Sequence, residues 1–178
     1  MGTRPRRDER GRIEAAAAFL RDRIGASFRP DAAVVLGTGL GGVADAMEKA
    51  KEIPYDAIPG FPVSGVEGHR GTLLAGTIRG RRVLAMEGRA HFYEGWSLRE
   101  VTFPVRALRA LGTPTLILTN ACGGLNPLFR TGDLMVVADH INLMGDSPLR
   151  GPNDEGLGPR FPDMGRVYDP ALDRKSVV

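Results

Sequence analysis

Hydrophobic residues recur at helical spacing in the first part of the chain. Residues 8–24 place apolar side chains three or four positions apart on one face, and Gly25 follows as a natural stop. The residues of this face are Ile13, Ala17, Leu20 and Ile24. A short apolar run at 32–36 comes next and is typical of a buried strand. The pattern therefore predicts a helix followed by a strand.

Two further apolar runs, at 72–78 and 82–86, are strand-like. Between them lies the sequence Arg79-Gly80-Arg81, which predicts a hairpin turn. The remaining predicted elements are a helix at 43–51, buried strands at 115–119 and 134–138, and loops rich in Gly and Pro at 53–71 and 145–165.

A capping box marks one more helix, at residues 97–111. Ser97 and Glu100 form the S-x-x-E pattern that satisfies free amides at a helix start, and Pro104 should kink or restart the helix. Strands separated by helices predict an α/β fold with a sheet covered on both faces, and the hairpin makes that sheet mixed. We expect residues 1–178 to form a single domain.

Composition excludes several classes of protein. The one cysteine, Cys122, excludes a disulfide within the chain and a multi-cysteine zinc site. Only 6% of the residues are aromatic, which argues against a stacking platform for single-stranded nucleic acid. The arginine-rich N-terminus has no apolar core behind it, so it is not a secretory signal, and no apolar run is long enough for a membrane span. We expect a cytoplasmic protein without nucleic-acid or membrane partners.

A glycine cluster follows the first predicted strand. Gly37, Gly39 and Gly42 match G-x-G-x-x-G, a pattern that lets the backbone approach an anion closely, and Thr38 adds a hydroxyl donor. A dinucleotide site would also need an acidic residue about 20 positions on, at the end of a second strand. The motif alone leaves three interpretations open: a general anion site, a dinucleotide site and a structural turn.

The stretch 88–95 carries the richest chemistry. Arg89 and His91 alternate, so both side chains point the same way in an extended segment, and Tyr93 continues that face. A guanidinium beside an imidazole suits an anion with several oxygens, such as phosphate. The alternative is an exposed loop with incidental charges. Two isolated candidates have simpler interpretations: His69 as a solvated loop residue, and Cys122 as a small apolar residue in a tight turn.

Seven short segments, taken in order over about residues 30–170, resemble the trimeric class of purine nucleoside phosphorylases. They are residues 35–41, 68–71, 88–95, 101–106, 119–126, 139–142 and 148–155. Each segment is weak evidence alone, but all seven in the family's order are specific. The related methylthioadenosine phosphorylases depart from several of these segments and fit less well.

The resemblance implies roles for individual residues. Those that would bind phosphate are Thr38, His69, Arg89, His91 and the backbone N–H of Ala121. Arg89 and His91 would be the catalytic pair, and Tyr93 would contact the ribose. Leu157 occupies a position where many members have a phenylalanine that reaches a neighbouring subunit's ribose pocket, so ribose packing should differ here. The family needs no metal or organic cofactor, and it forms homotrimers.

The activity implied by the resemblance is a step of purine salvage. Phosphate would cleave the N-glycosidic bond of a purine (deoxy)ribonucleoside and give the free base and (deoxy)ribose 1-phosphate. Two alternatives from other classes are an oxidoreductase that binds a nucleotide or dinucleotide at the glycine cluster, and a non-catalytic fragment that binds phosphate without turnover.

The resemblance also bears on the length of the chain. Family members usually continue well past residue 178, and the segment beyond it supplies the residues that hold the purine. We therefore expect 1–178 to be an incomplete phosphorylase domain that is inactive alone. The preference for one purine base over another cannot be predicted from it, because the residues that contact the base would lie beyond residue 178. Residues 173–178 can be encoded by DNA resembling a common sequencing-library adapter, and we expect them to be a non-native tail.

Overall fold

A computed structural model describes residues 9–66 and 70–173, and the chain divides into two compact units, Met1–Ala121 and Cys122–Val178. The first unit holds a five-stranded mixed sheet of order β2-β3-β4-β1-β5. Its elements in chain order are α1 (Glu9–Ile24), β1 (Ala32–Leu36), α2 (Gly42–Asp45), β2 (Glu48–Pro54), β3 (Thr72–Ile78), β4 (Arg81–Glu87), α3 (Leu98–Ala110) and β5 (Leu116–Leu118).

Strand direction divides the sheet into two halves. β1 lies between β4 and β5 and is parallel to both. β2, β3 and β4 pair antiparallel in succession. This arrangement confirms the predicted mixed sheet, and it brings the carboxyl ends of β4, β1 and β5 to one edge.

Apolar side chains cover both faces of the sheet. On one face α1 and α3 join strand residues in the larger core, where the predicted α1 face residues Ile13, Leu20 and Ile24 are buried. On the other face a smaller cluster contains Ala44 of α2 and Leu74 of β3. The alternation within each strand explains this division, because successive side chains of a strand point to opposite faces.

The predicted helix at 43–51 is wrong. α2 ends at Asp45, and the chain then forms β2 along β3, with a register irregularity between Glu48 and Lys51. Pairing with β3 satisfies the backbone there, so tertiary contacts override the local helix propensity. Gly76 of β3 permits the close approach, since a Cβ at that position would lie 2.7 Å from the Glu48 carbonyl oxygen.

Two predicted buried strands also differ from the structure. β5 forms, but it covers only Leu116–Leu118, and its side chains are exposed because it pairs with β1 alone at the end of the sheet. Residues 134–138 form no strand. Within the described part of the second unit no strand exists to pair with them; its one helix is α4 (Pro170–Asp173).

The hairpin between β3 and β4 forms as predicted. Arg79 and Gly80 have φ angles of 48° and 76°. Two successive positive φ angles are typical of the type I′ turn, whose twist matches that of the flanking strands.

Among the described helices, none is long and apolar enough to cross a membrane.

The predicted capping box opens α3. The Ser97 hydroxyl accepts a hydrogen bond from the Glu100 amide at 3.3 Å, and the Glu100 carboxylate accepts one from the Ser97 amide at 2.9 Å. The helix then runs on through Pro104 to Ala110 and does not restart. Ser97 therefore fixes where α3 begins.

Replacing Ser97 with Ala should destabilise the fold by about 1 kcal/mol, because the first turn of α3 loses an acceptor for one of its free amides. The free energy of unfolding, measured with a chemical denaturant, checks this. Thr102→Ala is the matched control, since the Thr102 hydroxyl donates back to the Leu98 and Arg99 carbonyls within the helix and caps no free amide. Equal losses for the two variants would contradict the capping role.

Candidate active site

Three segments that carry predicted site residues leave the sheet at the same edge. Thr38 follows β1, Arg89 and His91 follow β4, and Ala121 lies just beyond β5. The three strands are parallel neighbours, so their carboxyl ends lie side by side. Ligands of α/β proteins bind at this edge of the sheet.

Thr119 joins the segment after β5 to the glycine loop. Its hydroxyl accepts a hydrogen bond from the Gly37 amide at 2.8 Å and donates one to the Val35 carbonyl at 2.8 Å. The two backbones are so close that a Cβ at Gly37 would lie 2.8 Å from the Thr119 carbonyl oxygen. The first glycine of the motif is thus required by packing against β5.

Arg89, which follows β4, also contacts Thr119. Its Nη1 donates a hydrogen bond of 2.6 Å to the Thr119 carbonyl oxygen. The side chain is half-buried. A guanidinium carries its N–H donors in a rigid plane, so this contact orients the whole fork.

The glycine loop itself is compact. Gly39 has a φ of 88°, which favours glycine, and the Leu40 amide donates to the Gly37 carbonyl at 3.2 Å. Thr38 is exposed at its tip. α2 spans only four residues, Gly42–Asp45, so the long helix predicted to present its N-terminus to an anion does not form.

His91 and Tyr93 lie together after β4, as predicted. Their rings stack with centroids 4.9 Å apart and planes inclined by 15°. The chain reaches this arrangement through a 3₁₀ turn at Phe92–Glu94, whereas the prediction assumed an extended segment. Tyr93 is 74% exposed, so the Tyr93 side of the pair faces solvent.

Glu94 receives hydrogen bonds from two separate segments. Its carboxylate accepts from the His91 amide at 2.6 Å, the Gly65 amide at 2.8 Å and the Ser64 hydroxyl at 3.0 Å. Desolvation acts to raise the pKa of Glu94, but these hydrogen bonds and the nearby His91 imidazole outweigh it and lower the pKa below its ordinary value. The stabilisation is present above the unfolded-state pKa and is lost as the pH falls through the folded-state pKa.

Tyr55 contacts the backbone just before Arg89. Its side chain is 1% exposed, and its hydroxyl donates to the Gly88 carbonyl at 2.9 Å. Burial, reinforced by the charge of Glu87, raises the pKa of the Tyr55 hydroxyl far above its ordinary value. The hydroxyl therefore stays protonated and keeps Gly88, next to Arg89, in place.

Sequence reasoning did not single out Thr119, Glu94, Glu87 or Tyr55. Glu87 ends β4 and Thr119 directly follows β5, and a polar residue at a strand's carboxyl end is a signal that could have found them. Glu94 lies within the stretch that carries Arg89 and His91, but no spacing rule connects it to Ser64. Tyr55 carries no such signal.

The sheet topology argues against a dinucleotide-binding fold. Two acidic residues are near the required distance: Glu52 lies in β2, and Asp56 lies in the 3₁₀ turn directly after it. β2 is the far edge strand, and β3 and β4 separate it from β1. A dinucleotide fold needs that second strand parallel to and beside the first.

The predicted residues are not all brought together. His69 lies outside the described residues, as do the N-terminal arm and residues 174–178. Leu157 belongs to the second unit, where it is 39% exposed and its amide donates to the Asp154 carbonyl. In the same unit, the His140 Nδ1 lies 3.2 Å from the Tyr168 hydroxyl, beside a cavity of about 360 Å³.

The model of one protein family, described as the phosphorylase superfamily, matches residues 31–177. The chain belongs to the phosphorylase superfamily. It is 54% identical over 161 residues to a purine nucleoside phosphorylase of Bacillus subtilis, covering 90% of this chain and 59% of that relative. It is 51% identical over 152 residues to the purine nucleoside phosphorylase of Mus musculus, covering 84% and 53%.

A solved structure gives the same result for the fold. Isoform 2 of purine nucleoside phosphorylase from Schistosoma mansoni, crystallised with cytosine and ribose-1-phosphate, matches with a TM-score of 0.83 and 39% identity. The match covers 93% of this chain and 58% of that one. This member of the phosphorylase superfamily thus spans less than two thirds of the relatives it matches.

Cys122 is not among the residues predicted to bind phosphate or nucleoside. It is a free, exposed thiol in the second unit, so it does not supply the packing expected of a small apolar residue. In a version of the chain extended to the length of its relatives, replacing Cys122 with Ala should leave most of the activity proposed below intact, which a steady-state assay checks. A covalent adduct trapped on Cys122, or complete loss of turnover with an intact fold, would contradict this.

Proposed function

We propose that this chain contributes the phosphate-binding part of a purine nucleoside phosphorylase. The reaction would use inorganic phosphate to cleave the N-glycosidic bond of a purine (deoxy)ribonucleoside, giving the free base and (deoxy)ribose 1-phosphate. The observation that carries the proposal is the convergence of Arg89, His91 and the glycine loop at the carboxyl ends of β4 and β1. Relatives named purine nucleoside phosphorylase support the choice of reaction.

The charges at this edge suit a phosphate dianion. Arg89 offers a planar fork of donors, and its orientation is already fixed by Thr119. His91 lies beyond it, and Thr38 is exposed at the loop tip to donate from its hydroxyl. Further phosphate donors in the proposal are His69 and the Ala121 backbone.

The reaction requires the protein to hold the negative charge of phosphate close to the reacting carbon. The glycosidic carbon develops oxocarbenium character as the base departs. Phosphate is then both the nucleophile and the nearby counter-charge, so aligning it against that carbon supplies much of the catalysis. In this proposal Tyr93 contacts the ribose, and no metal or organic cofactor takes part.

Assembly is part of the proposal. A homotrimer would let Leu157 of one subunit contact the ribose site of the next, as the resemblance implies. Residues 1–178 would then be part of one phosphorylase domain, with the purine-holding residues contributed by the portion of the family fold that this chain does not match.

A coupled assay for release of purine base tests the function. It should compare the chain with an extended version in which the C-terminal segment of the Bacillus subtilis relative follows it. Phosphate-dependent cleavage of inosine or guanosine by the extended chain is the expected result. Cleavage that does not require phosphate, or nicotinamide binding instead of cleavage, would reject it. Phosphate binding without turnover would favour the non-catalytic alternative.

A further inference from the structure

Two sets of contacts, or anchors, join residues 64–66 and 70–71 to residues 87–94, the stretch that carries Arg89 and His91. On the N-terminal side, the Ser64 hydroxyl and the Gly65 amide both donate to the Glu94 carboxylate, at distances of 2.8–3.1 Å. The Val66 amide donates in turn to the Ser64 hydroxyl at 3.1 Å. Residues 64–66 are therefore held by a side chain of the turn that carries His91.

The second anchor lies on the C-terminal side. The Arg70 Nη1 is 3.2 Å from the Glu87 Oε1, and the Gly71 amide donates to the Glu87 carbonyl at 3.1 Å. Glu87 is the last residue of β4, two positions before Arg89. Residues 70 and 71 are therefore held by Glu87, at the start of the stretch 87–94 that also contains Glu94.

Both oxygens of the Glu94 carboxylate accept hydrogen bonds. Its Oε1 accepts from the His91 amide and its Oε2 accepts from the Gly65 amide, while the Ser64 hydroxyl lies between the two oxygens. One side chain thus fixes the His91 backbone and residues 64–66 relative to each other. A neutral amide cannot replace it, since its NH₂ group would face one of these two N–H donors.

Glu87 is buried to an unusual degree for a carboxylate. The residue is 7% exposed, and in the part of the chain that the structure describes its Oε2 has no hydrogen-bond partner. Arg70, its ion-pair partner, is 64% exposed. A buried carboxylate whose pairing is this incomplete contributes little net stability. Its place at the end of β4, two positions before Arg89, is better explained by its contact with Arg70.

We propose that Glu94 and Glu87 are positioning residues that hold residues 64–66 and 70–71 against the Arg89–His91 turn and thereby set the affinity for phosphate. The inference rests on the proposed function. Neither carboxylate contacts the substrate; each acts through the segment it fixes. The lowered pKa of Glu94 is consistent with this role, because the anchor stays ionised at neutral pH.

The test compares Glu94→Gln with Glu100→Gln in the extended chain. Both carboxylates accept from a backbone amide and a serine hydroxyl, but the two donors to Glu100, both from Ser97, reach a single oxygen that glutamine retains. Glu94→Gln should raise the phosphate KM about tenfold, with the nucleoside KM unchanged. Glu100→Gln should change neither. Equal effects of the two variants would overturn the proposal.

A double-mutant cycle shows whether Glu94 acts through residues 64–66. Ser64→Ala removes the hydroxyl that both Glu94 and Val66 use. If Glu94 acts through this segment, the double variant should raise the phosphate KM by less than the product of the single effects. Independent effects, with fold-changes that multiply, would contradict the proposed route. Glu87→Gln with Arg70→Ala gives the equivalent cycle for the second anchor.

Calorimetric binding of inorganic phosphate separates failure of this inference from failure of the proposed function. If the extended chain binds phosphate but does not cleave nucleosides, the proposed function fails, and the same variants still test the anchors through the phosphate Kd. Unchanged phosphate affinity in both Glu94→Gln and Glu87→Gln would overturn the inference even in an active enzyme.

Discussion

Replacing Arg89 with Ala in the extended chain is expected to raise the phosphate KM by roughly 10- to 150-fold and to leave the nucleoside KM nearly unchanged. Hydrogen bonds to a charged group contribute about 1.5–3 kcal/mol, which corresponds to that range. The Thr119 carbonyl already orients the guanidinium, so the side chain enters the complex with little rotamer freedom left to lose. Steady-state kinetics with phosphate varied at saturating nucleoside measures the effect.

Two controls sharpen the Arg89 experiment. Arg89→Lys keeps the charge but loses the planar fork, so it should recover only part of the phosphate affinity. Arg109→Ala removes an exposed arginine of α3 and should have no effect. A loss confined to nucleoside, with the phosphate KM unchanged, would show that Arg89 does not bind phosphate. A thermal melt of each variant excludes unfolding as the cause.

Replacing Gly37 with Ala should destabilise the fold by about 1–3 kcal/mol. The new Cβ would lie 2.8 Å from the Thr119 carbonyl oxygen and 3.0 Å from the Asn120 Cα. Both are backbone atoms, so relief requires β5 to move away from β1. That movement would also shift the carbonyl that orients Arg89, and we expect phosphate affinity to fall with stability.

Gly41→Ala is the matched control for the Gly37 substitution. Gly41 lies in the same loop, its φ is −55°, and nothing lies within 4 Å of the position a Cβ would take. Its replacement should leave the free energy of unfolding unchanged or slightly higher. If denaturant unfolding finds the two variants equally stable, the tight contact between the glycine loop and Thr119 is not a constraint on the fold.

Local patterns predicted the parts of the fold that local forces determine. The bounds of β1 follow from five consecutive apolar residues, and the start of α3 follows from a capping box that the structure contains. The β3–β4 turn follows from one glycine between charged neighbours. In each case the residues that fix the structure are adjacent in sequence, so the pattern is sufficient.

The errors occur where partners distant in sequence decide the structure. Residues 48–54 form a strand because β3 offers an unpaired edge, and nothing within that segment indicates it. The exposure of β5 follows from its place at the end of the sheet. Residues 134–138 have the composition of a strand, but a strand also needs hydrogen bonds from another strand.

The site divides in the same way. Motifs predicted Thr38, Arg89, His91 and Tyr93 as site residues, because the chemistry of each is indicated by its neighbours in sequence. The groups that hold them are distant: Thr119 reaches Gly37 across 82 positions and Arg89 across 30. Ser64 reaches Glu94 across 30 positions. Supporting contacts of this kind require the fold to be known.

The Gly37–Thr119 contact also constrains when the site can form during folding. A hydrogen bond that spans 82 positions closes only after a long loop has been ordered, and such contacts form late. A nascent chain leaves the ribosome from its N-terminus, so the glycine loop emerges well before the strand that packs on it. Until Thr119 has followed, the Gly37 amide and the Arg89 guanidinium both lack the acceptors that Thr119 provides. The proposed phosphate site is therefore completed late in synthesis, although its glycine motif is among the first segments made.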